Sequence, residues 1–209
     1  MLAILKKDLI LLFSNKREIL FMIFYIPFLV FTVESYDPKI LYFTIVIFFT
    51  YFMSLSSFYH DVDGKGKYIL NSLPITGKRI VIYKYISIFA YFIISIVFVG
   101  GYLWIINIVG LAAVDYFNIK MIFKAIPIVM LIISTVFPVY MFFEPRIARI
   151  VNIVFVVFIV GLMNLGYVGE KSLVKMVGIL EGNSLVYLSI IVYVFSLMLS
   201  MVLYQKKDL

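Results

Sequence analysis

The sequence predicts an all-α integral membrane protein, with an interfacial N-terminal helix, six transmembrane helices and both termini cytoplasmic. Three observations predict this fold class. Of 209 residues, 65% are apolar and 14% are charged, against about 45–50% and about 25% in a soluble domain. The mean hydropathy is +1.13. The apolar residues also fall into six runs near the roughly 20 residues that a helix needs to cross a bilayer core. No stretch is polar enough to form a second, soluble domain, so residues 1–209 read as a single transmembrane domain.

The chain opens with MLAILKKDLILLFSNKRE. Leu2, Leu5, Leu9, Leu12 and Phe13 fall within one helical face, and Lys7 points away from it. Residues 1–16 are expected to lie as a helix in the inner interface, with Lys6 and Lys7 at the headgroups. The charges inside this run and its lack of a small-residue cleavage site argue against a removable signal peptide.

Span one is expected at Glu18–Glu34, short and carrying Pro27, and span two at Ile40–Tyr59. Span three runs from Tyr83 to Val114 with Gly100 and Gly101 in its middle. Span four, Lys120–Phe143, carries Pro127 and Pro138; spans five and six are Ile147–Gly166 and Leu185–Tyr204. Proline removes a backbone bond and kinks a helix, which a bundle tolerates when a neighbour satisfies the freed carbonyl. These prolines are therefore read as shaping the spans. Residues 167–184 are too polar to span and too apolar for a plain loop. They read as a short segment dipping into the extracytoplasmic interface, with glycines at both ends.

Six spans bring both termini to one side. That side collects thirteen of the eighteen basic residues: Lys6, Lys7, Lys16, Arg17, Lys65, Lys67, Lys78, Arg79, Lys84, Arg146, Arg149, Lys206 and Lys207. The excess marks it as cytoplasmic.

Composition excludes several chemistries. There are no cysteines, hence no disulfide, thiolate nucleophile or zinc–thiolate site. The one histidine, His60, stands beside Asp61 and Asp63 at a membrane edge and reads as an interface residue. No charge lies near the centre of a span, where an ion-coupled carrier would place one. The phosphate-loop pattern GxxxxGK[ST] is absent. No catalytic, cofactor or metal residues are assigned, and the chain is not expected to be an enzyme by itself. The polar side chains within the spans, Ser54, Ser56, Ser57, Asn107, Ser134, Thr135, Asn152 and Asn164, are read as helix-to-helix hydrogen bonders.

One segment remains, the loop at residues 60–82 containing ILNSLPITGKR. It is basic yet retains Ile69, Leu70, Leu73 and Ile75. Pro74 stops any helix before it, and Thr76 suits the N-cap of a helix that continues into span three. Lys78, Arg79 and Lys84 then lie near headgroups, and Tyr83 and Tyr85 suit the aromatic belt. Exposed apolar residues on a short, bent cytoplasmic knuckle call for a protein partner.

Asp61 or Asp63, Ser72-Leu73-Pro74, Thr76, Lys78-Arg79 and Lys84-Tyr85 together resemble the pattern of the small six-span permeases of type 2 ABC exporters. The resemblance extends to the whole layout. It departs at Arg79, where such permeases often carry an acid that would complete a capping box with Thr76. It implies that the loop is a coupling helix seated on a separate ABC ATPase, which binds ATP and Mg. Tyr68, Ile69, Leu70, Leu73 and Ile75 would supply apolar contact, with Pro74, Lys78 and Arg79 beside them. It also implies pairing with a second copy or a paralogous permease, in a bacterial plasma membrane. The chain is similar to the very small members that export amphipathic peptides of the phenol-soluble modulin type, which implies an amphiphilic substrate. Two other readings remain open: a substrate-capture subunit of a vitamin importer, and a stand-alone immunity or scaffold protein.

Overall fold

The computed structural model describes residues 2–32, 38–62, 76–111, 114–168 and 183–206. These residues form seven helices and no strands. They are α1 (Leu2–Ser14), α2 (Lys16–Thr32), α3 (Pro38–Val62), α4 (Gly77–Val109), α5 (Ile119–Phe142), α6 (Pro145–Val168) and α7 (Asn183–Lys206). Residues Met1–Val129 form one compact unit and Met130–Asp208 another.

Each expected span falls on a helix. Among the described residues, four helices are long and apolar enough to cross a membrane, at Leu41–Tyr59, Gly77–Val109, Ile119–Phe142 and Ser184–Gln205. Spans one and five fall on α2, of 17 residues, and on α6, which are not among those four.

The N-terminal helix is separate from α2. The break is made by Asn15. Its carbonyl accepts from the Glu18 amide, its side-chain oxygen accepts from the Arg17 amide at 3.2 Å, and its side-chain amide donates to Glu18 at 2.9 Å. This reciprocal cap starts a new helix.

Pro27 lies inside α2 and cannot donate to the carbonyl of Ile23 one turn earlier. The Tyr102 hydroxyl of α4 donates to that carbonyl at 3.1 Å. Around this bond, aromatic rings join α2 to α3: Tyr25 stacks on Phe48 at 4.2 Å, and Phe21 lies tilted against Phe52 at 4.9 Å between centroids.

Helix α4 begins at Gly77, directly after the N-cap position expected at Thr76, and continues without a break into span three. Lys78 and Arg79 are therefore exposed positions of its first turn. Thr76 occupies the N-cap with extended backbone, yet its side chain makes no capping bond. Thirty-three residues extend about 50 Å at 1.5 Å each, more than the bilayer core needs, so α4 projects beyond it. It ends at Gly110, whose φ of 73° only glycine adopts freely, with Gly110 and Leu111 amides donating to the Asn107 and Ile106 carbonyls.

The outward faces of α4 and α7 are hydrocarbon, and the inward face of α4 mixes hydroxyls with Ile88, Phe92, Val99 and Leu103. Along α4, Ser87, Tyr91 and Ser95 face inward while Ile86, Phe89, Ile93, Val97 and Trp104 face out. Along α7, Ser189, Tyr193, Ser196 and Ser200 are buried while Tyr187, Ile191, Phe195 and Met198 are exposed. Hydrocarbon on the outward faces, with hydroxyls kept among the buried side chains, suits lipid as the solvent. Within the second unit, the Ser196 hydroxyl donates to the Ser134 carbonyl at 2.7 Å, joining α7 to α5.

Candidate functional site

The loop segment 68–75, with Tyr68, Ile69, Leu70, Leu73, Pro74 and Ile75, lies outside the described residues, as does Asp63. What is described is how the two ends of that loop are fastened. Asp61 occupies the last turn of α3 and Lys84 the second turn of α4.

Lys84 and Tyr85 turn inward rather than outward toward headgroups. Both are buried, at 2% and 0% exposure. The expectation of a headgroup contact followed from counting Lys84 as one more cationic loop residue. In the helix, Ile80, Val81, Lys84, Tyr85 and Ser87 all turn inward, while Lys78 and Arg79 stay in the exposed first turn.

Lys84 is buried because its charge is met there. Its ammonium bonds Asp8 Oδ2 at 2.9 Å, pairs with Asp61 Oδ2, and also donates to the Ser57 hydroxyl and carbonyl. The Phe58 ring lies 5.3 Å from the same nitrogen. Asp8 also accepts from the Ser57 hydroxyl at 2.7 Å and from Tyr91 at 3.2 Å. Lys7 pairs with Asp61 and, at 3.2 Å, with Asp8 Oδ1. Two carboxylates and two ammonium groups thus close a neutral set. Neutrality and full pairing are what make such burial tolerable, since an isolated buried ion costs far more than a paired one.

Three helices contribute. Asp8 and Lys7 come from α1, Ser57 and Asp61 from α3 at a spacing of four, and Lys84 and Tyr91 from α4 two turns apart. The side-chain exposure of Lys7 is 29%, so the set touches solvent at one rim; that of Asp8 is 1%. Burial alone would raise the Asp8 carboxyl. The neighbouring Lys84 and Lys7 charges, with hydrogen bonds from Lys84 and Ser57, more than offset this and hold it below the ordinary carboxylate value.

The inward face of α1 also differs from expectation. Leu12 is buried, but Phe13 and Ile10 are exposed, and the residue one turn before Leu12 on the buried row is Asp8. α1 packs on α2, α3 and α4 through that row. Lys6 remains exposed. The missed signal was an acid on a helix assigned to anionic headgroups, where only bases are favoured.

The other intramembrane polar residues divide. Ser56 donates to Glu18 and Ser57 to Asp8, between helices. Ser54, Ser134 and Thr135 instead bond carbonyls of their own helices. Asn107 pairs with both backbone groups of Val114. The Asn164 side chain lies outside the described residues. Among the described residues, no group of three His, Cys, Asp or Glu is placed to hold a metal.

No curated protein and no solved structure matches the chain. A family model does, over residues 3–205, which take in almost all of α1, the other two helices of the ionic cluster, α3 and α4, and almost all of α7. That span covers nearly the whole chain, and it makes this multi-pass membrane protein a member of the ABC-2 family of transporter proteins.

Proposed function

We propose that the chain is the permease subunit of an ATP-driven exporter and receives its drive through residues 63–75. The family places it as the membrane component of an ABC transporter, whose ATP hydrolysis in general belongs to an ATPase partner. The observation that carries the finer reading is the fastening of Asp61 to Lys84, across the segment 63–75 and onto α1. A segment whose ends are tied in this way can pass a push into α3 and α4 without being absorbed by its own hinges. In this reading six spans cross a bacterial plasma membrane with both termini cytoplasmic. Tyr68, Ile69, Leu70, Leu73 and Ile75 seat the segment on the ATPase, which binds ATP and Mg. Two permeases pair to enclose a path for an amphiphilic, peptide-type substrate.

The test is co-purification of the chain with an ABC ATPase expressed from the same operon, before and after Leu73→Asp. A charge in the apolar contact should release the ATPase or abolish the permease's effect on its ATP hydrolysis. An ATPase that binds and turns over identically with the variant refutes docking through this segment.

A further inference from the structure

The ionic cluster brings together more than the two ends of one loop. Asp61 and Lys84 would suffice to join α3 to α4, yet both also bond to α1, through Lys7 and Asp8. Asp8 accepts from three groups, Lys84, Ser57 and Tyr91, on the two helices that flank the segment 63–75. An interfacial helix held only by lipid would keep its charges at the rim, as Lys6 does. Asp8 instead sits at 2% exposure, between hairpin and helix.

From this arrangement we infer that α1 and the α3–α4 hairpin form one rigid lever, locked by Asp8, Lys84, Asp61 and Lys7, with Lys84 as the positioning residue. The consequence rests on the transporter reading: a push arriving at residues 63–75 moves α1 together with α4. α1 is then a second output arm rather than a passive anchor, and its exposed apolar residues Ile10 and Phe13 sweep through the interface as the hairpin moves.

The charge count supplies a discriminating design. Lys84→Met leaves two carboxylates against Lys7 alone. The double variant Lys84→Met with Asp8→Asn restores balance through Lys7 and Asp61, but no charged group of α4 then reaches α1. If Lys84 served only to neutralise buried acid, the double variant would recover everything. If it positions α1 on α4, the double variant recovers folded yield and not the geometry.

The chain has no cysteines, so spin labels at Ile10→Cys in α1 and Ile86→Cys in α4, both exposed positions, report their separation without background. The measurement uses the full chain in nanodiscs of phosphatidylethanolamine and phosphatidylglycerol. The unsubstituted cluster should give one narrow distance. Lys84→Met should lose the narrow peak, and the double variant should stay broad while its yield recovers. In complex with the ATPase, the wild-type distance should not change when ADP–vanadate is trapped. A narrow peak in Lys84→Met, its return in the double variant, or a shift on trapping each overturns the lever. Failure of the wild-type chain to recruit any ATPase overturns the transporter reading instead, and the distances in the chain alone still decide the lock.

Discussion

The two ends of α4 are fastened by different physics. Its N-terminal end is held by charge: Lys84 lies buried between Asp8 and Asp61, and the set is exposed only at its Lys7 rim. Its C-terminal end is held by shape and by neutral hydrogen bonds. There the Asn107 amide donates to the Val114 carbonyl at 2.6 Å and accepts from its amide at 2.9 Å. One turn and more below, the Phe117 ring presses on Gly100, where an added Cβ would stand 2.8 Å from Cδ1. Phe117 itself holds a φ of 52°, a left-handed backbone that costs a residue with a side chain about 1–2 kcal/mol. A charge lock works only as a balanced set, so removing one member harms it disproportionately. A shape lock yields by degrees, as volume is added or a single bond is lost.

The contrast breaks most visibly at Lys84. Lys84→Met should cost about 3–5 kcal/mol, the usual penalty for stranding partners of a buried ion pair, read as a lowered thermal midpoint in detergent. Acid probes the same set more gently. The Asp8 pKa is lowered by folding, so its contribution is present above the unfolded value and is lost as pH falls through the folded one. The stability difference between wild type and Asp8→Asn should therefore hold from neutral pH down to about the ordinary value of 3.8 and close below it. A difference that vanishes already at neutral pH would mean that Asp8 is not held as a carboxylate.

At the opposite end, effects are smaller. Asn107→Leu leaves both Val114 backbone groups without their partner, a loss of about 1–3 kcal/mol for partly buried groups. Equal midpoints for variant and wild type would show the loop to be held elsewhere. Gly100→Val should cost less, about 1 kcal/mol, because Phe117 is half exposed and its ring can swing outward. Gly101→Ala sharpens this by its sign. A Cβ there meets nothing within 4 Å, so alanine should stabilise the helix by about 0.5–1 kcal/mol. Adjacent glycines giving opposite signs in one thermal series would identify close approach, not glycine content, as the reason for Gly100.

How far these features were legible beforehand follows the same division. Helix positions came from hydropathy, which is strong in runs such as Lys120–Phe143 and Leu185–Tyr204. Prolines announced their own need for a partner. Charges were misread because sequence order places Lys84 with Lys78 and Arg79, whereas helical geometry turns Lys84 inward and leaves the other two in the exposed first turn. Asp8 was out of place on an interfacial helix, but its partners were not readable. Its partners Ser57 and Lys84 lie 49 and 76 positions away, and no local pattern encodes such a pairing. The Phe117–Gly100 contact likewise needs a loop folded back on its helix, which composition does not specify.

The smallest effect tests the neutral side of the comparison most cleanly. Tyr102 donates to the Ile23 carbonyl only because Pro27 has no amide to offer it. Ile23 lies on an exposed face of α2, where lipid cannot replace the lost donor. Tyr102→Phe should then cost about 0.6 kcal/mol, the average for a hydrogen bond between membrane helices. In a Pro27→Ala background the alanine amide can bond Ile23 within its own helix, and the same Tyr102→Phe change should cost close to nothing. The difference between the two costs is the coupling that a double-mutant cycle isolates. Equal costs in both backgrounds would show that the Tyr102 hydroxyl contributes independently of the carbonyl that the proline sets free.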